Sequence, residues 1–223
     1  MKNKSLNLPN RESRFLSASV ELRAADDTES QNIVRGYAAK FNAESENLGS
    51  AEYQFREILL PGAFDDVLND DVRALLNHES SAILARSKNG EGTLSLGADE
   101  VGLWYEFEAP DTQIGRDLVT SLKRGDIDQS SFSFTVEQDG QEWKETKDGD
   151  GPTLVTRTIN KVKRLYDVSP VTYPAYPDAT VALRSLEEFR KEETPAPTPK
   201  EPTENHSIAL KQRALDLIDK TAI

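Results

Sequence analysis

The chain has 223 residues and a mass of 24.8 kDa, enough for one large domain with an appendage and too little for two full enzymatic domains. Its 39 acidic residues exceed its 27 basic ones, for a net charge of −12, which argues against nucleic acid or an anionic membrane as the main partner. The absence of cysteine excludes thiolate nucleophiles, zinc–thiolate centres and disulfides.

The polar opening MKNKSLNLPNRESR lacks the apolar centre of a signal peptide, and no run approaches 18 consecutive apolar residues. These features predict a soluble protein made and used inside a cell, with residues 1–14 as a flexible N-terminus. From Phe15 to Phe189 the pattern is strand-rich. Alternation of apolar and polar residues marks LSASVEL (16–22), IVRGYAAKF (33–41) and YQFREIL (53–59). LPGAFDDVLND (60–70) then reads as a helix started by Pro61. VRALLNH, GTLSLGA and VGLWYEFE follow as strands, and DTQIGRDLVTSLKRG (111–125) as a second helix. In that helix Asp111 is the expected N-cap, Ile114, Leu118 and Leu122 share a face, and Gly125 ends the run.

SFSFTVE is the next strand, and the acidic QDGQEWKETKDGDGP reads as a solvated hairpin. It lacks the ligand order of a calcium loop. Thr153–Val168 repeats apolar residues every three positions, yet its β-branched content and the following Ser169-Pro170 favour strand. Seven or more short strands with two helices predict a mainly β, α+β domain built as a barrel or sandwich.

The C-terminal tail is different in kind. From Arg190 to Ile223 there are six basic and six acidic residues, no aromatic residue and no glycine, while four of the 11 prolines fall between Pro195 and Pro202. Residues 190–206 are therefore read as a proline-rich linker. Residues 207–223 are read as an amphipathic helix with Leu210, Ala214, Leu217 and Ile218 on one face.

No Walker A loop, GxGxxG turn or GxSxG elbow is present, so phosphate, dinucleotide and α/β-hydrolase chemistry lack their anchors, and no cofactor or metal is indicated. Side-chain chemistry remains. A serine needs a base to take its proton, and histidine is the base suited to neutral pH. Since His206 lies beyond the folded region, such a mechanism would use His78; this is an elimination, and a structural histidine at a strand end is the commoner case.

Several segments in order carry more weight: RGYAAKFN, FREILLPGAF, Asn77-His78-Glu79, LARSKNGEGTLSL, Ser130-Ser131-Phe132-Ser133-Phe134, and the run from Leu165 to Pro177 with Asp167-Val168-Ser169-Pro170-Val171 at its centre. Over roughly residues 33–184 the chain resembles the prohead (capsid maturation) serine proteases of tailed bacteriophages. That resemblance implies an assemblin-like β-barrel surrounded by a few helices, with His78 as base, Ser131 as nucleophile and Asp167 as the acidic member. Asp167 stands where relatives often carry the longer Glu, and Gln129-Ser130 stands where many have Gly-Met. Ser130 is thus a rival nucleophile, although strand alternation puts Ser131 and Ser133 on one face and Ser130 with Phe132 and Phe134 on the other. For Asp167 a salt bridge with Lys163 or Arg164 is the competing account, and for Arg86 a surface role is the simpler one.

The implied function is an endopeptidase inside the procapsid of an infected bacterium, cutting scaffold and major capsid protein, with self-cleavage and homo-oligomerisation left open. The alternative is a catalytically inactive capsid assembly or scaffolding protein on the same fold.

Overall fold

The structure is a computed structural model that describes residues 11–24, 32–49, 53–147 and 153–173. The linker 190–206 and the terminal helix 207–223 lie outside these residues. In chain order the described part comprises β1 (Glu12–Ala24), β2 (Asn32–Lys40), β3 (Tyr53–Leu59), β4 (Val72–Leu75), β5 (Ile83–Lys88), β6 (Glu91–Gly92), β7 (Leu94–Ala98), β8 (Gly102–Glu108), α1 (Gln113–Arg124), β9 (Gln129–Val136), β10 (Gln141–Lys147), β11 (Thr153–Ile159) and β12 (Val162–Val171).

Nine strands form one sheet in the order β6-β5-β4-β12-β9-β1-β2-β8-β7, and three form another, β10-β11-β3. Among the described residues β6 and β7 are the two ends of the large sheet, so the architecture is mainly β without the closed barrel that the resemblance implied. β1 is the splice within it. Its first half pairs with β9, its second half with β2, and β1 starts at Glu12, inside the segment expected to be a flexible terminus.

Alternation works where one face is wet. β2 buries Val34 and Gly36 between half-exposed neighbours, whereas β9, flanked by β12 and β1 in mid-sheet, is buried at almost every position. Its two faces still differ. Phe132 and Phe134 stack at 4.8 Å between centroids and Phe132 meets Phe64 edge-on at 5.6 Å, placing one face in the core. Ser130 shares that face and lies 2.7 Å from the Tyr105 hydroxyl. Gly36 is required beside them, because a Cβ there would come within 2.8 Å of the Tyr105 oxygen and 3.0 Å of Ser130 Oγ.

The second expected helix forms as α1, but Thr112 caps it, its hydroxyl accepting from the Gly115 N–H at 3.3 Å, while Asp111 pairs with Arg116 instead. Gly125 ends the helix in the left-handed region at φ 75°. The first expected helix shrinks to a single 3-10 turn, Asp65–Val67. Gly62 at φ 86° interrupts helical backbone just after Pro61, and the segment closes through i to i+3 bonds such as Val67 N–H to Phe64 C=O. Thr153–Val168 is two strands rather than one. The break falls at Asn160-Lys161, where both N–H groups donate to the Gly140 carbonyl. β5 was not foreseen, since ILARSK carries no clear alternation; the segment expected as a solvated hairpin supplies one strand, β10, which pairs antiparallel with β11.

The two sheets are joined by charge. Glu12 and Arg14 from β1, Glu57 from β3 and Arg157 from β11 are each 5% exposed or less. Arg14 ion-pairs with Glu57 and Glu12, and Arg157 reaches Glu12 at 2.8 and 3.0 Å and Glu57 at 2.7 Å. Two cations thus face two anions, and Trp143 caps Arg157 at 5.2 Å while stacking on Phe55. Burial alone would push the Glu57 carboxyl up, but the Arg14 and Arg157 charges and hydrogen bonds override it and hold its pKa at about 2, below the ordinary 4.5.

Removing one member leaves a buried charge uncompensated. Arg157→Met should therefore lower the unfolding free energy by about 3–5 kcal/mol in urea titration at pH 7. The lowered Glu57 pKa means that the unfolded chain binds the extra proton between pH 4.5 and about 2. Stability from this group is present above pH 4.5 and is lost as pH falls through that window. Glu57→Gln should flatten the acid limb of a stability–pH curve, and an unchanged limb would refute the assignment.

Candidate active site

His78 follows β4 in a tight loop, with Asn77 and His78 both in the left-handed region at φ 53° and 58°. Two successive non-glycine residues there cost about 1–3 kcal/mol each, so the loop must be held from outside. The end of β12 does this. The Asn77 N–H donates to the Pro170 carbonyl at 3.0 Å, and Asn77 Oδ1 accepts from Thr172 N–H at 2.9 Å and from its hydroxyl at 3.2 Å. Within the loop, Glu79 N–H closes on Leu76 C=O.

So held, the imidazole lies over the serine face of β9. His78 Nε2 is 2.6 Å from Ser131 Oγ, and Nδ1 is 2.5 Å from Asp167 Oδ1. All three residues that the sequence resemblance singled out are in one hydrogen-bonded line. Register explains the meeting. On β12, Asp167 pairs with Ser133 of β9 and Ser169 with Ser131, so both β12 side chains point to the face that carries the serines. Ser131 and Asp167 are buried, and the His78 side chain is 18% exposed.

The carboxylate meets three side chains. Besides His78, Oδ1 accepts from the Ser169 hydroxyl at 3.0 Å, and Oδ2 pairs with the Arg11 guanidinium, which also lies over the Tyr166 ring at 5.0 Å. Burial pushes the Asp167 pKa up, but the His78 hydrogen bond and charge, the Arg11 charge and the Ser169 hydroxyl outweigh it and hold it below the usual range. An ionised carboxylate only accepts, so the imidazole proton facing it sits on Nδ1. In the neutral ring Nε2 is then the nitrogen without a proton. Ser131 Oγ also lies 2.9 Å from the Arg14 carbonyl of β1, and Ser133 Oγ, 3.2 Å from Nδ1, is 2.9 Å from Ser13 Oγ.

The competing roles weighed from sequence are placed as follows. Ser130 faces the core with Tyr105 and is not beside His78. Asp167 is paired with Arg11, not with Lys163 or Arg164, of which Lys163 contacts Glu137 and Arg164 lies over Tyr166. Arg86 is an exposed residue that grips Asp71 through two bonds of 2.7 and 2.8 Å, drawing that carboxyl down to about 2. Arg11 and Ser169 are the polar neighbours that sequence reasoning missed. Ser169 was within reach, since it shares the parity of Asp167; Arg11 was not, because nothing local ties it to a residue 156 positions away.

A Ser–His–Asp line on a mainly β fold is the geometry of acyl transfer by a serine hydroxyl. No curated protein matches the chain. Among solved structures, the capsid assembly protease of bacteriophage T4 aligns at 10% identity and a TM-score of 0.35, over 72% of this chain and 98% of that one. The caudovirus prohead serine protease family matches residues 18–192, a span that holds His78, Ser131 and Asp167, and the chain belongs to that family.

Proposed function

We propose that the chain is a serine endopeptidase of phage capsid maturation that cuts scaffold and capsid-protein segments inside the procapsid, with Ser131 as nucleophile, His78 as general base and acid, and Asp167 as the group that orients the imidazole. Family membership supports the protease role. The single observation that supports the residue assignment is the continuous line from Ser131 Oγ through both His78 nitrogens to Asp167, at 2.6 and 2.5 Å.

In this reading the Ser131 hydroxyl transfers its proton to His78 Nε2 as Oγ attacks the scissile carbonyl, and the imidazolium so formed is stabilised by the buried Asp167. The C–N bond then breaks, Nε2–H protonates the leaving amine, and water releases the acyl group with the same base. Arg11 holds the carboxylate by the oxygen away from the ring, and Ser169, 3.3 Å from His78 Nδ1, holds it by the oxygen that faces the ring. The shorter Asp is no obstacle here, since register already brings β12 beside the imidazole.

The tail from residue 190 onward, read from its composition, would serve to keep the protease with its substrates and would be the accessible place for self-cleavage. Mass spectrometry of the purified chain tests the latter.

Ser131→Ala should reduce cleavage of a scaffold-protein substrate about 10⁴-fold or more without loss of folding, and His78→Ala should match it. The double variant should be no worse than either, because the pair acts as a unit. Ser130→Ala should keep its rate while losing about 1 kcal/mol of stability with the Tyr105 contact. If the wild-type chain and Ser131→Ala leave the substrate equally intact, the inert assembly protein is the correct reading.

Asp167→Asn should lower the rate by about 10⁴-fold by removing the charge that sets the Nδ1–H tautomer. A loss under tenfold, measured on folded protein, would remove Asp167 from the mechanism.

A further inference from the structure

β9 carries one more polar side chain on the nucleophile's face. Gln129 lies two residues before Ser131, so alternation places it on that face, where it pairs in register with Val171 of β12. The opposite end of the face is filled. Ser133 and Asp167 oppose each other there beneath the imidazole, whose Nδ1 lies 3.2 Å from Ser133 and 2.5 Å from Asp167. The other end of the face, beyond Ser131, carries Gln129.

Gln129 Oε1 is buried and has no hydrogen-bond partner among the described residues. The other such atom, Arg56 Nε, belongs to a guanidinium already held by Glu44 at 2.6 Å. An amide oxygen removed from water without a donor destabilises the fold, and such a group calls for a reason. The adjacent ladder is also irregular. Leu16 of β1 pairs with Ser130 and Ser19 with Gln129, so residues 17 and 18 have no counterpart on β9. Interruptions of this kind recur beside active sites, where they end pairing and leave room.

We propose that Gln129 is a substrate-anchoring residue: its Oε1 accepts a main-chain N–H of the peptide next to the scissile bond and so sets the register in which the carbonyl meets Ser131. Two residues along a strand span about 7 Å, which places the donor within two residues of the bond that is cut. The inference rests on Ser131 being the nucleophile.

The test compares wild type, Gln129→Met and Ser131→Ala in the full chain. The probe is a fluorogenic peptide bearing the sequence most often cut in a mixed peptide library, together with versions N-methylated at each position flanking the cut. Met fills the same space without the unpaired oxygen, so Gln129→Met should raise Tm by about 2–4 °C while lowering kcat/KM about three- to tenfold. Opposite signs set an anchoring role apart from a structural one, in which both would fall together. N-methylation at one flanking position should cost the wild type a similar factor and leave Gln129→Met unaffected. Equal kcat/KM for Gln129→Met and wild type, or a methylation penalty identical in both, overturns the proposal while an inactive Ser131→Ala leaves the nucleophile in place. Cleavage retained by Ser131→Ala overturns the nucleophile reading and this inference with it.

Discussion

The neutral quartet of Glu12, Arg14, Glu57 and Arg157 is the constraint on which the described domain depends. It is the place where β1, from the nine-stranded sheet, is fastened to β3 and β11, from the three-stranded one. Four buried charges are costly to desolvate, and replacing such a set by apolar side chains is often neutral or stabilising. Geometry is what the quartet adds. Apolar packing would tolerate a slip of β1 along β9, whereas two guanidinium forks set against two carboxylates accept one register.

That register reaches the site directly. With Arg14 opposite Phe132, the Arg14 carbonyl meets the Ser131 hydroxyl, Ser13 meets Ser133, and Arg11 is delivered to Asp167. The two faces of β9 are thereby given separate duties. The phenylalanine face is locked into the core through Phe64 and the Tyr105–Ser130 contact, so the serine face is held with little freedom to shift. On the far side, Thr172 and Pro170 hold a loop whose backbone would not keep its left-handed turn unaided. Ser131 and His78 are thus positioned by elements that touch at β12, and a small displacement of that strand would be felt by all three residues of the line.

How much of this could be read beforehand depends on the range of each interaction. The SSFSF alternation is a local property, and it placed Ser131 and Ser130 on opposite faces correctly because β9 follows a period of two throughout. The apolar face of α1 and its glycine stop were equally local. The polar opening misled for the converse reason. Glu12 and Arg14 look like solvent-facing charges until partners 145 and 43 residues further on, Arg157 and Glu57, are brought to them, and no periodicity announces that event. The expected helix at 60–70 failed where Gly62 follows Pro61 and three-residue closure wins over four. The strand pattern left barrel and sandwich both open and the resemblance favoured the barrel, but strand pairing is a non-local property that alternation does not encode.

The sequence separations have a temporal meaning. The bonds that complete the site span 89 residues between His78 and Asp167, 117 between Arg14 and Ser131, and 156 between Arg11 and Asp167. Contacts of such range form late, since loop closure is opposed by entropy before any pairing rewards it. A chain emerging from the ribosome carries His78 and Ser131 well before Asp167, and β9 is exposed on the side where β12 will lie. Until Val171 has been made and β12 inserted between β9 and β4, the nascent polypeptide holds His78 and Ser131 without the assembled line. The order of synthesis alone therefore separates the making of most of this chain from the completion of its site.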